Sequence, residues 1–176
     1  MNNFFRKVKP LYPGSPALEV AYFGASTFDP ASLSDLNAVK EQVVKINLNR
    51  MPLENTDLSF LSGFQNLEDV QLNFTGIKSD QLEGLINAPN LKSLAISGNP
   101  FGDDGVATLK KLTQLKRLFI WQSGLTDKAK TELTETLKGV KIDFGFKDEG
   151  IIYPLNSPKI DFEKVMFKGT AEVKIT

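Results

Sequence analysis

An apolar pattern recurs every 24 residues, and this period constrains the fold more than any other feature of the chain. Each copy follows L-x-x-L-x-L, then a turn position, then one more apolar residue. The four full copies begin at Val43, Leu67, Leu91 and Leu115, and a partial copy begins at Leu137, 22 residues after the fourth. Copies at one fixed spacing indicate a stack of similar units that bury a shared core.

Between these copies, apolar residues spaced by three recur and predict one face of a short helix. They are Leu58, Leu61 and Phe64, then Leu82, Leu85 and Ala88, then Val106, Leu109 and Leu112. Each set follows a capping signal: "NTDL", "KSDQL" or "GDDGV", with "LTDKA" opening a fourth helix. Each unit is therefore a strand, a turn and a helix, which predicts an α/β fold. The pattern resembles a right-handed leucine-rich repeat solenoid of about five to six units including caps, with a parallel sheet on its concave face.

The turn position of the repeat is mostly without asparagine. Only the third copy has Asn there, at position 99, while the other copies have Met51, Thr75 and Ser123. The asparagine ladder of many leucine-rich repeats is therefore expected to be incomplete. A Thr or Ser hydroxyl can satisfy some of the same backbone groups, whereas the Met51 side chain cannot.

The ends of the repeat predict the domain organisation. Residues 1–16 are expected to be an N-terminal tail, and residues 17–146 the repeat domain. Within it, residues 17–42 form a degenerate capping unit, whose helix opens at Asp29-Pro30. Residues 147–176 are an extended segment, which is either a C-terminal cap or the start of a truncated β module.

Composition excludes several classes of function. Lys and Arg together number 21, as do Asp and Glu, so the zero net charge argues against nucleic acid or an anionic membrane as the main partner. Without Cys or His, the chain has no thiolate zinc site, no thiol nucleophile and no Ser-His-Asp triad. Asp80, Asp103 and Asp104 are interpreted as helix caps rather than a cation site. We therefore expect no catalytic residue, no cofactor and no metal.

The predicted outward side chains of the strands form rows, and these are the expected binding surface. The rows are Lys45, Asp69, Ser93 and Arg117; Asn47, Gln71, Ala95, Phe119 and Lys141; Asn49, Asn73, Ser97, Trp121 and Asp143; and Arg50, Phe74, Gly98 and Gln122. The candidate partner-binding residues are Phe119, Trp121, Arg117, Phe74, Gln71 and Asn73.

Phe119 and Trp121 stand out because the rest of this face is polar. One interpretation is an anchor for a protein partner, or less favourably for a glycan, since aromatic and Arg side chains dominate binding hot spots. The other is a docking surface for the downstream segment Ile151–Leu155. The second is favoured, because these aromatic residues lie in the last full copy, beside a tail.

Several motifs resemble the leucine-rich regions of bacterial membrane-bound c-type cytochrome proteins, found in Bacteroidetes and planctomycetes. They are the turns "GIKSDQL" and "GLTDKAK", the repeat "LKRLFIWQS" and the ending "KIDFG". The segment "LEVAYFGASTFDPASLSDL" resembles the opening unit of that family, and "LNSPKIDFEKVMFKGTAEVKIT" resembles the start of a chitobiase-type, fibronectin-associated β module. The resemblance covers about residues 15–176. No C-x-x-C-H motif is present, so no haem site carries over.

This resemblance implies an extracytoplasmic location, in the periplasm or cell envelope, with membrane attachment only through other parts of a longer parent chain. The expected function is a non-enzymatic protein-interaction module of a larger cell-envelope protein, which binds through its concave face. The alternative is a structural spacer between a redox domain and a carbohydrate-associated β module. The sequence names no partner.

Overall fold

A computed structural model describes residues 5–145 of the 176-residue chain. Within that range one seven-stranded sheet has its strands in sequence order: β1 Arg6–Pro10, β2 Leu18–Tyr22, β3 Val43–Asn47, β4 Asp69–Gln71, β5 Ser93–Ala95, β6 Arg117–Phe119 and β7 Lys141–Asp143. Strand β1 is antiparallel to β2, and all the later pairs are parallel. The molecule is therefore an α/β protein with a mostly parallel sheet, as predicted.

The register of the sheet follows the 24-residue period from β3 to β7. Ile46 pairs with Val70, and the same step continues through Leu94 and Leu118 to Ile142. These residues point to the core side, where the first four are fully buried. Because side chains alternate along a strand, the 24-residue step keeps every unit's apolar residues on the same face.

The predicted final step of 22 residues is wrong. Lys141 pairs with Arg117 and Asp143 pairs with Phe119, so the last strand also follows the 24-residue step. The row assignments that placed Lys141 beside Phe119 and Asp143 beside Trp121 are wrong for the same reason. Leu137 is not a strand position but the buried residue that ends the last helix, where its N–H donates to the Leu133 carbonyl at 2.8 Å.

Every interval between parallel strands contains a helix, but most of these helices are tight and short. The 3₁₀ segments are Ala25–Thr27, Pro30–Val39, Ser59–Gly63, Ser79–Leu82 and Asp103–Gly105, and the α-helices are α1 Glu83–Ile86, α2 Val106–Leu109 and α3 Asp127–Thr136. A 3₁₀ helix rises further per residue than an α-helix, so it spans a unit with few residues. Asp29 caps the Pro30–Val39 helix by accepting from the Ala31 N–H at 3.0 Å, as the Asp-Pro signal predicts.

The apolar positions of the repeat form one core. All the pattern positions of the four full copies are buried, and so are the nine helix positions between them. Burial of a whole row of leucines from successive units is the main stabilising contribution expected for such a stack.

Side-chain amides join successive units at the start of the strands, a role that no sequence motif indicates. Asn66 Nδ2 donates to the Glu41 carbonyl and Asn90 Nδ2 to the Gln65 carbonyl, both at 2.7 Å. Gln114 Nε2 donates to the Leu85 carbonyl at 3.0 Å. The amide one residue before the first leucine of a unit thus bonds to a backbone carbonyl of the preceding unit, although the Leu85 carbonyl also accepts from the Ala88 N–H.

Residues Arg6–Pro10, which the sequence assigns to a tail, form β1 and pair with β2. The Arg6 side chain is buried, and its guanidinium donates to the Tyr22 hydroxyl at 3.1 Å and to the Ser32 carbonyl at 2.9 Å. It also forms an ion pair of 3.0 Å with Asp35. A buried arginine conceals the alternation by which a strand is recognised in the sequence.

The cap-or-module hypothesis for residues 147–176 lies outside the described residues and stays a prediction.

Asp103 links two successive units through Thr126. Its carboxylate accepts from the Thr126 N–H at 2.8 Å and from the Thr126 hydroxyl at 2.7 Å. The Thr126 hydroxyl oxygen accepts from the Ala129 N–H at 3.3 Å and so caps α3. The two hydrogen bonds from Thr126, with a smaller contribution from Lys128, lower the pKa of Asp103 below its ordinary value of 3.8.

A lowered pKa in the folded state predicts that Asp103 stabilises the fold above pH 3.8 and loses this effect as the pH falls through the folded-state pKa. Asp103→Asn is therefore expected to be less stable than the wild type at pH 7, with the difference shrinking below about pH 4. Urea unfolding at pH 7, 5 and 3 measures this. Asp104→Asn removes the same charge one residue away and is the control, because Asp104 has no hydrogen bond to Thr126. A constant difference between Asp103→Asn and the wild type at all three pH values would contradict the linkage.

Candidate functional site

The outward face of the sheet carries all six candidate partner-binding residues in or directly after two strands. Gln71 ends β4, and Asn73 and Phe74 follow it. Arg117 and Phe119 belong to β6, and Trp121 follows that strand. The unit between them has the small residues Ser93, Ala95, Ser97 and Gly98 in the corresponding positions.

Phe74 and Trp121 are in direct contact although 47 positions separate them in sequence. Their ring centroids are 5.3 Å apart, and the rings meet edge to face at 71°. Such a pair is more favourable than its buried area alone would suggest. We call Phe74, Gly98 and Trp121 the aromatic bridge, because Phe74 extends across the intervening unit at Gly98.

Gly98 makes this contact sterically allowed. A Cβ atom added there would overlap the Phe74 ring, and the backbone φ of Gly98 is +70°, in the left-handed region that side chains disfavour. Phe74 itself remains 40% exposed, one of few large apolar side chains so exposed within residues 5–145. The Arg50 guanidinium lies 5.9 Å from the centroid of the Phe74 ring, within reach of a cation–π interaction.

The turns that follow β3, β4 and β6 hold large side chains in an unusual backbone conformation. Arg50, Phe74 and Gln122 have φ values of +63°, +56° and +52°. A left-handed conformation costs a residue other than glycine roughly 1–2 kcal/mol, so the stacked units must hold these turns in place. The Arg50 N–H donates to the Asn73 carbonyl at 2.8 Å, and the Phe74 N–H donates to the Ser97 carbonyl at the same distance.

A polar ladder runs beside the bridge and includes the candidate residue Asn73. The Asn49 side-chain oxygen accepts from the Asn73 N–H at 2.9 Å, and the Asn73 side-chain oxygen accepts from the Ser97 N–H at 2.8 Å. Ser97 Oγ then accepts from the Trp121 N–H at 3.2 Å. Because an indole has no acceptor oxygen, the ladder cannot continue through Trp121. The Gly145 N–H instead donates to Asp143 at 2.8 Å.

Gln71 also forms intramolecular hydrogen bonds. Its side-chain oxygen accepts from Asn49 Nδ2 at 3.2 Å, and its Nε2 donates to Asp69 at 3.2 Å. Arg117 differs from these amides, since it is exposed and has no ion pair within residues 5–145. The side chains of Gln71 and Asn73 thus form hydrogen bonds within the fold, whereas the aromatic candidates and Arg117 can contact a ligand.

Trp121 and Phe119 are half-buried. On the side of the next unit, the Gly145 backbone lies so close that a Cβ atom there would come within 2.6 Å of Trp121 Cβ. The hypothesis that Ile151–Leu155 covers Phe119 and Trp121 concerns a segment outside the described residues. Both interpretations of these aromatic residues therefore stay open.

No group of acidic residues in residues 5–145 has the arrangement of a metal site. Of the three carboxylates considered in the sequence analysis, Asp103 bonds to Thr126 of the next unit, and Asp80 accepts from the Gln81 N–H at 3.0 Å. Over the same residues, no helix is long and apolar enough to cross a bilayer.

Comparison with known proteins adds no functional assignment. A scan against protein-family models found no match, and a search of curated proteins found none either. What the outward face can bind has to be inferred from its own residues.

Gly98→Ala tests the aromatic bridge directly. The added methyl group is expected to displace the Phe74 ring from Trp121, which increases the exposure of the indole. Trp121 is the only tryptophan of the chain, so its fluorescence emission should shift to longer wavelength without interference. Gly63→Ala is the control, because no atom lies within 4 Å of a Cβ at that position. An unchanged emission maximum in Gly98→Ala would show that Phe74 does not shield Trp121.

Proposed function

We propose that this chain is a right-handed leucine-rich repeat solenoid of about five to six units, including its caps. Support comes from the regular 24-residue register between β3 and β7 and from the complete burial of the pattern leucines. The proposed units are a strand, a left-handed turn and a short helix. On this proposal, the outward face of the sheet is the concave face of the solenoid.

The proposed function is a non-enzymatic protein-interaction module that binds its partner through the outward face of the sheet. The aromatic bridge supports this most directly. Phe74 is held in a left-handed turn and remains 40% exposed on a mostly polar face, while its neighbour Trp121 fixes the ring. A rigid, partly exposed aromatic side chain beside arginine has the chemistry of a binding hot spot.

The proposal extends to location and context. The resemblance to leucine-rich regions of membrane-bound cytochrome proteins supports an extracytoplasmic module of a larger cell-envelope protein. The absence of His and Cys from the sequence supports a non-enzymatic role, because it removes the most frequent general base and the thiol nucleophile.

The alternative function is a structural spacer between two other domains. The ladder of Asn49, Asn73 and Ser97 favours it, because these polar side chains serve the stacking of units. A spacer would tolerate substitutions over the outward face, whereas a binding module would not. The two proposals therefore differ in their response to changes at Phe74 and Arg117.

A photo-crosslinking amino acid placed at position 74 in the native host tests the binding proposal. We expect a crosslinked protein that is absent when the same amino acid replaces Lys111, an exposed residue outside the sheet. The identified protein is then purified, and its affinity is measured for wild type, Phe74→Ala and Arg117→Ala. A loss of tenfold or more in both variants, with Lys111→Ala unchanged, supports the module. Unchanged affinities, or no crosslink specific to position 74, favour the spacer.

Trp121→Gln separates a partner site from an intramolecular docking surface. If the downstream segment covers Trp121, this change should lower the melting temperature well beyond Phe74→Ala, which removes the same ring contact. If Trp121 contacts a partner instead, the melting temperature should fall no further than in Phe74→Ala, while partner binding is lost. Thermal unfolding and partner binding are measured on the same preparation of the full chain.

A further inference from the structure

The outward face of the sheet has an excess of positive charge although the whole chain is neutral. The strand pairing aligns five basic and three acidic side chains on this face: Lys7, Lys9, Lys45, Arg117 and Lys141 against Glu19, Asp69 and Asp143. Arg50, in the turn after β3, adds a further cation beside the aromatic bridge. The rows predicted from the sequence already contain Lys45, Arg50, Arg117 and Lys141 against Asp69 and Asp143, and the pairing of β1 with β2 adds Lys7, Lys9 and Glu19.

The acidic side chains of this face already have partners. Glu19 forms an ion pair of 3.2 Å with Lys9. Asp69 accepts from Gln71 at 3.2 Å, and Asp143 accepts from the Gly145 N–H at 2.8 Å. Only Glu19 neutralises a cation in this way, because the hydrogen bonds of Asp69 and Asp143 come from neutral donors and leave their charges in place. The remaining cations of the face still outnumber these two carboxylates.

The cations nearest to the aromatic residues have no carboxylate partner within residues 5–145. Arg117 and Lys141 are exposed and directly paired on neighbouring strands, so their Cα atoms lie about 5 Å apart. Arg117 stands on the same strand and the same face as Phe119, two residues away. Arg50 lies at the other side of the bridge, against Phe74. Unpaired cations thus flank an aromatic centre on two sides.

We infer that the partner segment recognised by this face is an acidic peptide with a large apolar side chain. This inference rests on the proposed function and specifies the ligand of the same surface. The apolar side chain packs on the exposed face of Phe74 beside Trp121. Carboxylates near it in the peptide pair with Arg117 and Lys141 on one side and with Arg50 on the other. Arginine suits this role, since its planar guanidinium binds a carboxylate through two hydrogen bonds.

A peptide fits this surface better than a glycan or a polyanion. Sugar hydroxyl groups need free amides and carboxylates, but Asn49, Gln71 and Asn73 are engaged in hydrogen bonds of the fold. A polyanion favours a continuous basic track, whereas Asp69 and Asp143 interrupt the cations here. An acidic peptide can place its carboxylates selectively and avoid both.

Selection from a random 12-residue peptide display library on the immobilised full chain tests the inference. The expected result is enrichment of peptides with Trp, Phe or Leu flanked by two or more Asp or Glu residues. Synthetic versions of the enriched peptides should bind at least tenfold more weakly at 500 mM than at 50 mM salt, because salt screens exposed charges.

Charge reversal identifies the cations that contribute. Arg117→Glu and Lys141→Glu should each weaken peptide binding about tenfold, and Lys111→Glu, outside the sheet, should change it less than twofold. A peptide with Lys in place of its Asp and Glu residues should prefer the Arg117→Glu/Lys141→Glu double variant. Circular dichroism of each variant verifies that the fold is retained.

Other outcomes would overturn the inference. One is a library that yields no acidic peptide; another is heparin binding that exceeds peptide binding and does not change in Phe74→Ala. Peptides that depend on Phe74 but are indifferent to Arg117→Glu and Lys141→Glu would also overturn it, while leaving the proposed interaction module intact.

Discussion

Asn99→Ala is expected to lower the free energy of unfolding by about 2–5 kcal/mol. Asn99 is 0% exposed, and its side-chain oxygen accepts from the Thr75 N–H at 3.0 Å. Its Nδ2 donates to the carbonyls of Leu72 and Ile96, both at 2.8 Å. Alanine would leave the Thr75 N–H and the Ile96 carbonyl without their side-chain partner, whereas the Leu72 carbonyl keeps the Thr75 hydroxyl. Each unsatisfied buried group costs about 1–3 kcal/mol. Chemical unfolding followed by circular dichroism measures the change.

Neighbouring units provide a graded control for this prediction. Thr75 and Ser123 occupy the same turn position, and each hydroxyl donates to the carbonyl three residues earlier. Asn99→Thr should therefore retain more stability than Asn99→Ala. Asn37→Ala, at an exposed position, should change the free energy of unfolding by no more than about 0.5 kcal/mol. Equal losses in Asn99→Ala and Asn99→Thr would show that packing, rather than hydrogen bonding, sets the effect.

The repeat pattern predicted the main elements of the fold because burial and period are directly visible in a sequence. A leucine every 24 residues fixes both the strand positions and their register, and the structure pairs Val70 with Leu94 accordingly. Thr75 and Ser123 also form the turn-position hydrogen bonds expected of their hydroxyl groups. Such patterns can be read from a sequence because burial of one face requires apolar residues at the spacing of the strand or helix.

The errors have physical reasons of their own. Leu137 matches the first position of the repeat in sequence, but it caps the C-terminus of α3. Periodicity alone cannot distinguish a buried helix end from a buried strand start when the two lie two positions apart. Strand β1 was missed because it places the charged residue Arg6 on the core side and has no copy of the apolar pattern. A buried arginine is stable only when it has hydrogen-bond partners, and those from Tyr22 and Asp35 are distant in sequence.

The candidate site was partly accessible from sequence. Row positions identified Phe74, Phe119 and Trp121 as outward side chains, but not the contact between Phe74 and Trp121. The only sequence signal for this contact was Gly98, because a glycine between Phe74 and Gln122 in the same row leaves space for a neighbouring ring. The hydrogen bonds of Gln71 and Asn73 depend on side-chain rotamers in adjacent units, which a row assignment does not determine.

Leu94→Ala is expected to destabilise the protein by about 2–5 kcal/mol. Leu94 is 0% exposed and lies on β5, between Val70 and Leu118 of the neighbouring strands. Removal of its isobutyl group leaves a cavity in the middle of the stack, because the paired backbones on both sides prevent the units from closing around it. Urea unfolding monitored by circular dichroism and by Trp121 fluorescence measures the loss.

Leu11→Ala makes the same chemical change at a residue that is 47% exposed, and it should alter stability by no more than about 0.5 kcal/mol. The comparison isolates burial from any intrinsic effect of replacing leucine. Trp121 fluorescence reports on the fourth unit, because this residue directly follows β6, whereas circular dichroism reports on the whole chain. If the units share one continuous core, both signals should move to lower urea together. A fluorescence transition that stays at the wild-type midpoint would mean that the fourth unit folds independently of the third, and the shared core would then be wrong.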